Sequence, residues 1–261
     1  MQIIYLSTII LSILGLLIGI FLGIFSNIFK VDKNEKTVKI RNCLPGNNCG
    51  GCGYAGCDAL AEAISTGIAK PTACPVCGHE HIIEISNIVG VKAESVEKKV
   101  AYVHCNGTCE NTDIVYNYEG PKSCRLVFNM PNHGEKKCEF ACIGFGDCVN
   151  SCQFNAIYIN NSVAIVDKEK CKSCGECIKI CPMNIIELIP YSSSSKVQCS
   201  NKNKGKQVTE VCKVSCIACG ICEKNCPSDA ITVINNLATI DYTKCNNCNI
   251  CKEKCPRKCI I

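Results

Sequence analysis

Cysteines at C-x2-C-x2-C-x3-C spacing recur along this chain. Three runs are complete: Cys171, Cys174, Cys177 and Cys181; Cys216, Cys219, Cys222 and Cys226; and Cys245, Cys248, Cys251 and Cys255. A fourth has Cys142, Cys148 and Cys152 in place but Phe145 at its second position and Gln153 where a proline would follow. Three thiolates at x2 spacing crowd one tetrahedral zinc ion, whereas they suit a four-iron cubane. The chemistry implied is one-electron transfer with little rearrangement, and no residue has to act as acid, base or nucleophile.

The runs are related by an internal repeat, since the one starting at Cys216 recurs 29 residues later at Cys245. Between runs, "AIYINNSVAIVD" (156–167) and "AITVINNLATID" (230–241) each predict strand, Asn-Asn turn and strand. This is the layout of a two-cluster ferredoxin, in which the fourth cysteine of each run ligates the other cluster. Phe145 cannot ligate, and Cys138 lies one helical turn before Cys142, so Cys138 is expected to supply the missing thiolate. The expected sets are Cys138, Cys142, Cys148 and Cys181; Cys171, Cys174, Cys177 and Cys152; Cys216, Cys219, Cys222 and Cys255; and Cys245, Cys248, Cys251 and Cys226. Cys259 aligns with Ala156, Ile185 and Ala230 and reads as a packing residue.

Two further groups have other spacings. Cys49, Cys52, Cys57 and Cys74 sit around a glycine-rich loop and the amphipathic stretch "DALAEAISTGIAK", and the glycines would let backbone N–H groups approach a cluster's sulfurs. Cys43 and Cys77 flank this set and are left over. In the middle, Cys105, Cys109, Cys124, Cys199 and Cys212 offer five candidates for four positions, closed by either Cys199 or Cys212; free structural cysteines are the alternative. The expected cofactors are about six [4Fe–4S] clusters, and at least five. His79, His81, His104 and His133 show no metal-ligand pairing.

These sites need elements to hold them and a reducing compartment. Cysteine makes up 28 of 261 residues, and disulfides would require export. Residues 3–29 are uncharged and almost wholly apolar, long enough at roughly 40 Å to cross a bilayer with some tilt. The basic residues Lys30, Lys33, Lys36, Lys39 and Arg41 come after this stretch, which places the N-terminus outside and the remainder in the cytoplasm of a single-pass cell-membrane protein. Gly15, Gly19 and Gly23 form one row on that helix, suited to close packing against a membrane partner. The expected fold class is α+β, with the membrane helix at 1–30 and an N-terminal 4Fe–4S domain at 31–90. A cysteine-containing middle segment (91–137), a ferredoxin-like unit (138–189), a linker loop (190–211) with a short strand around Val197, and a second ferredoxin-like unit (212–261) complete it.

The anchor, "LPGNNCGGCGYAGCDALAEAI", "CNGTC", "CEFACIGFGDCVNSC" and the two ferredoxin units together resemble the B subunit of the Rnf electron-transport complex, over essentially the whole chain. The resemblance implies a ferredoxin:NAD oxidoreductase that couples electron flow to pumping of sodium ions or protons. It also implies that this subunit takes electrons from soluble ferredoxin and passes them to membrane and NAD-binding partner subunits. No dinucleotide fingerprint or phosphate loop is present, and no nucleic-acid partner is implied. An anchored polyferredoxin serving a hydrogenase or another reductase, and an iron–sulfur sensor or scaffold without turnover, are the rival readings.

The formal charge of +5 counts cysteine as neutral. Bound thiolates are deprotonated, and six oxidised cubanes at about −2 each bring the loaded protein to roughly −7. The lysines Lys196, Lys202, Lys204 and Lys206 then become the expected docking patch for an acidic donor.

Overall fold

The computed structural model describes residues 2–28, 34–93 and 97–261. Helix α1, Gln2–Ile28, is continuous, and its stretch Ile4–Phe25 has a mean hydropathy of 2.7 and is covered by no other part of the chain. It is long and apolar enough to cross a membrane. Gly15, Gly19 and Gly23 face open space. Of the basic residues that follow, Lys30 and Lys33 lie outside the described residues, while Lys36, Lys39 and Arg41 sit on α2, Glu35–Cys43.

Helices α2, α3 (Cys57–Ser65) and α4 (His79–Val89) pack together around Ile40, Leu60, Ile64 and Ile85, all fully buried. The Asn34 side chain accepts from Lys36 N at 3.0 Å to start α2, and Gly90 in the left-handed region (φ 87°) ends α4.

The rest is short strands and single-turn helices. Strand β1 (Lys99–Val103) begins it, followed by α5 (Cys124–Val127), α6 (Asp147–Asn150), β2 (Ile157–Asn160) and β3 (Val163–Val166). Next come α7 (Glu176–Ile180), β4 (Ile186–Pro190), α8 (Gly205–Val211), α9 (Ile221–Lys224), β5 (Ile231–Ile234), β6 (Leu237–Ile240) and α10 (Ile250–Lys254). Strands β2 and β3 form one hairpin and β5 and β6 the other, both antiparallel. In the first hairpin the register Asn160↔Val163 puts Asn160 in the strand, so the turn is Asn161–Ser162 rather than Asn-Asn. Both hairpins turn on two residues of positive φ, 45° and 62° in the first and 51° and 62° in the second, the signature of a type I′ turn.

The expected domain boundaries shift. β1 pairs antiparallel with β4, Val100 opposite Ile189, so the first ferredoxin unit opens inside the segment read as separate. Val197 bridges Ile260 in the same way, so the second unit opens inside the expected linker. The two units also share the bond beside that pairing: His104 N donates to Ile185 O and Gln198 N to Cys259 O, both at 2.8 Å. Between 190 and 211 the chain is packed rather than a loose loop, with Val197, Cys199, Asn201 and Val208 buried. Its serines made it look like solvent-facing loop, but the Ser194 and Ser195 hydroxyls donate to Asn249 Oδ1 at 2.9 Å. Each unit thus carries an insertion between its first strand and its first cysteine run.

Candidate iron–sulfur sites

Cysteine side chains converge on small, partly open cavities. Cys152, Cys171, Cys174 and Cys177 line one, and Cys216, Cys219, Cys222, Cys255 and Cys259 another. A third is lined by Cys124, Cys142, Cys148 and Cys181, and a fourth by Cys105, Cys138, Cys199 and Cys212. Around Cys251 lie Cys245 and Cys248. Cys57 and Cys74 are buried in the N-terminal core, with Cys52 packed against it and Cys49 half-buried nearby.

The geometry corrects the expected position of Cys138. This residue lies in the fourth cavity, where its sulfur accepts from Asn201 Nδ2 at 3.3 Å, and does not line the cavity of Cys142 and Cys148. Cys124 takes that place. Asp147 Oδ2 accepts from Ser123 Oγ at 3.0 Å and from Arg125 N at 3.1 Å, which ties α5 to the start of α6 and brings Cys124 beside Cys148. Phe145 packs with Cys124, Val127 and Ile143 and leans on Tyr118, ring centroids 5.9 Å apart, so the lost ligand's place became part of the support for its substitute. Gly144 (φ 89°) permits this path, because a Cβ there would collide with the Ser162 carbonyl oxygen. Both Cys199 and Cys212 line the cavity of Cys105 and Cys138, whereas Cys109 lines none of these four cavities: it is exposed, its sulfur 3.2 Å from Ser162 Oγ.

The surroundings fit an iron–sulfur group. Burial pushes the thiols of Cys138, Cys142, Cys148 and Cys177 up to about 12, so in these places a thiolate needs positive charge close by, which ligated iron supplies. Backbone N–H groups aim at the sulfurs: Ala101 to Cys171 (3.4 Å), Ala156 to Cys152 (3.4 Å), Ala230 to Cys226 (3.3 Å), Ala238 to Cys216 (3.5 Å) and Cys259 to Cys255 (3.3 Å). Among the described residues no three His, Cys, Asp or Glu side chains close on a point tightly enough for a single metal ion. Four sulfurs spread around a cavity suit a larger group. In the N-terminal module a hydrogen bond from the Cys77 thiol draws Cys74 down to about 6, and Cys77 is itself raised. The Cys77 thiol donates to Cys43 O at 3.9 Å. Cys43 is buried in α2 with its thiol on Lys39 O at 3.3 Å.

Two charged or polar groups lie between sets. Lys136 is buried at 4% exposure, its Nζ donating to Cys142 O at 2.7 Å and Ser162 O at 2.6 Å. Its charge favours the thiolates of both Cys105 and Cys142. Cys259, 2% exposed, packs in one buried cluster with Cys199 and Cys216, and its thiol draws theirs down to about 7 and about 6. Neither role was legible in the spacing. The expected lysine patch is smaller than four residues, because Lys196 is half-buried, shifted down by that burial, and 5.4 Å from the centre of the Tyr102 ring. Lys202, Lys204 and Lys206 are exposed.

Chains built this way, with several four-cysteine sites on ferredoxin units behind an apolar helix, are multi-cluster electron-transfer proteins. Residues 44–76 match a family described as a putative Fe-S cluster domain, and residues 141–185 and 170–230 match the 4Fe-4S dicluster domain. The B subunit of the Na(+)-translocating ferredoxin:NAD(+) oxidoreductase complex of Acetobacterium woodii is 45% identical over 96% of this chain and 75% of its own length. The B subunit of the ion-translocating oxidoreductase complex of Methanosarcina acetivorans is 39% identical over 83% of this chain and 82% of its own. Its counterpart in the proton-translocating ferredoxin:NAD(+) oxidoreductase complex of Clostridium ljungdahlii is 37% identical, over 94% and 87%. The chain belongs to the B-subunit family of the ion-translocating ferredoxin:NAD oxidoreductase, or Rnf, complexes.

Proposed function

We propose that this chain is the electron wire of an ion-translocating ferredoxin:NAD oxidoreductase. Electrons would enter from reduced ferredoxin and leave toward the membrane and NAD-binding subunits. The observation that carries this reading is that the sites touch in a single line. Numbered from the helix outward, site 1 is Cys49, Cys52, Cys57 and Cys74, and site 2 is Cys152, Cys171, Cys174 and Cys177. Site 3 is Cys124, Cys142, Cys148 and Cys181, and site 4 is Cys105, Cys138, Cys199 and Cys212. Site 5 is Cys216, Cys219, Cys222 and Cys255, and site 6 is Cys226, Cys245, Cys248 and Cys251.

Each junction has a contact. Gly51 lies so close to Cys174 that a Cβ there would stand 2.6 Å from its carbonyl oxygen, which joins site 1 to site 2. Cys177 lies beside Cys148, Cys142 N donates to Cys105 Sγ at 3.3 Å, and Cys199 and Cys216 pack in one buried cluster. Helices α9 and α10, which carry Cys222 and Cys251, pack together. A [4Fe–4S] cluster bound by four thiolates supplies one-electron chemistry at each site. The residues fix the spacing of the line and, through N–H groups and burial, the potential at each step.

With α1 crossing the membrane and Lys36, Lys39 and Arg41 on the cytoplasmic side, site 1 would follow the membrane helix most closely along the chain. Anaerobic iron and sulfide analysis tests the reading. About 24 iron atoms per chain are expected, and a value near 16 would remove sites 1 and 4.

An acidic donor approaching a holoprotein of net negative charge needs a local positive surface. Lys202, Lys204 and Lys206 offer one close to the second hairpin, where Lys202 O accepts from Asn236 Nδ2 at 3.0 Å. Changing the three to glutamine should slow ferredoxin oxidation several-fold at low ionic strength. The difference from the unaltered protein should shrink as salt rises. An unchanged association rate at low salt would remove this patch from the docking surface.

A further inference from the structure

One arginine stands at the junction of sites 4 and 5. The second residue after the last cysteine of each run is Phe154, Met183, Ser228 or Arg257, so only the final run carries a charge there. Arg257 Nη2 donates to Cys212 O, in site 4, at 2.8 Å. The same residue lines the cavity of Cys216, Cys219, Cys222 and Cys255, which is site 5. Its Nε is sealed from solvent and has no acceptor among the described residues.

A guanidinium nitrogen can only donate, and a buried donor left without a partner is costly. Apart from Arg257 and the cysteines, the wall of that cavity is glycine, alanine, proline, valine and isoleucine, with no side-chain oxygen to accept. The cysteine sulfurs do not bond to Nε either, which leaves a sulfur of the bound group as its acceptor. We propose that Arg257 bridges sites 4 and 5, its Nη2 held on the Cys212 carbonyl and its Nε donating to a sulfide of the cluster in site 5. The guanidinium stays charged throughout, so one electron passes from one site to its neighbour and no proton follows it. A charged donor favours the more negative, reduced form, and therefore raises the potential of site 5. The same side chain fixes the position of Cys212 against that site. The inference rests on sites 4 and 5 holding clusters.

Two variants of the full-length loaded protein test it. Arg257→Met keeps an apolar stem and adopts the residue that the repeat carries at Met183. Arg257→Lys keeps the charge, but its one nitrogen cannot serve both sites. Iron and sulfide content should stay at the unaltered protein's value in both. Labelling arginine with nitrogen-15 marks only Arg41, Arg125 and Arg257, and pulsed EPR of the reduced protein should show a nitrogen coupling that both variants lose. Redox-poised EPR should show one cluster of Arg257→Met shifted to lower potential, by up to about tenfold in the one-electron equilibrium or ~59 mV, and Arg257→Lys returned only part of the way. A coupling absent from the unaltered protein or surviving in Arg257→Met would overturn the proposal. So would an unshifted potential in Arg257→Met, full restoration by Arg257→Lys, or loss of four irons in both variants. Absence of clusters from sites 4 and 5 of the unaltered protein, read from its iron content, would defeat the wire reading and this assignment with it.

Discussion

Replacing Cys124 with alanine is expected to strip or degrade one cluster, lowering iron by roughly one to four atoms per chain, while Cys109→Ala leaves the content unchanged. Both residues come from the same stretch of sequence. They differ in that Cys124 is buried on the site 3 cavity, whereas Cys109 is exposed beside Ser162. Cys138→Ala should also cost a cluster, but at site 4, so iron counts alone do not separate the two assignments. A compensating change does. Phe145 stands where the repeat has its second cysteine, so Phe145→Cys should rebuild the C-x2-C-x2-C run and restore the cluster to Cys124→Ala. It should leave Cys138→Ala deficient. Rescue of Cys138→Ala instead would show that Cys138, not Cys124, fills the gap in site 3.

The second large effect centres on Lys136. A buried ammonium is costly without compensation, and two carbonyl oxygens supply only part of it. The remainder comes from the negative charge of sites 3 and 4, which Lys136 faces through Cys142 and Cys105. Each added electron is therefore stabilised by the lysine. At an effective dielectric constant of about 20 and a separation of several ångströms, one such charge is worth on the order of 1–2 kcal/mol, roughly tenfold or ~59 mV for one electron. Lys136→Met keeps the apolar stem and removes the charge, so the potentials of both clusters should fall together by about that amount. Lys136→Arg should hold them near the original values. The dependence also runs the other way, and chelating iron from the unaltered protein should destabilise this region more than chelating it from Lys136→Met. Potentials unmoved in Lys136→Met would show that solvent screens the lysine from both sites.

The groupings of Cys171, Cys174 and Cys177 with Cys152, and of Cys216, Cys219 and Cys222 with Cys255, around two cavities were legible because three cysteines of each keep a local spacing and the repeat supplies the fourth. The hairpins were readable from alternation and Asn-rich turns, apart from the one-residue position of the first turn. What spacing could not show was any ligand recruited across the insertions. Cys124 lies 18 residues before Cys142, and nothing in its neighbours marks it, since the contact that places it is Asp147 on a distant helix. Proximity in sequence favoured Cys138, which Asn201 draws away to the other unit. The linker misled for a similar reason. Serine and asparagine signal solvent when read singly, yet here Ser195, Asn201 and Ser215 are buried because each finds a hydrogen-bonding partner.

The order in which the sites touch also bears on how the molecule is made. A site can close only when its last cysteine has left the ribosome, and with the proposed ligand sets those residues would be Cys74, Cys177, Cys181 and Cys212 for sites 1 to 4. Cys251 and Cys255 then complete sites 6 and 5 almost together. Because chains emerge N-terminus first and fold unit by unit as they do, α1 is available before any thiol. Iron delivery can therefore proceed as growth from an anchored base, each new cluster seated against one already in place. Only sites 5 and 6 would have to wait for Cys251 and Cys255.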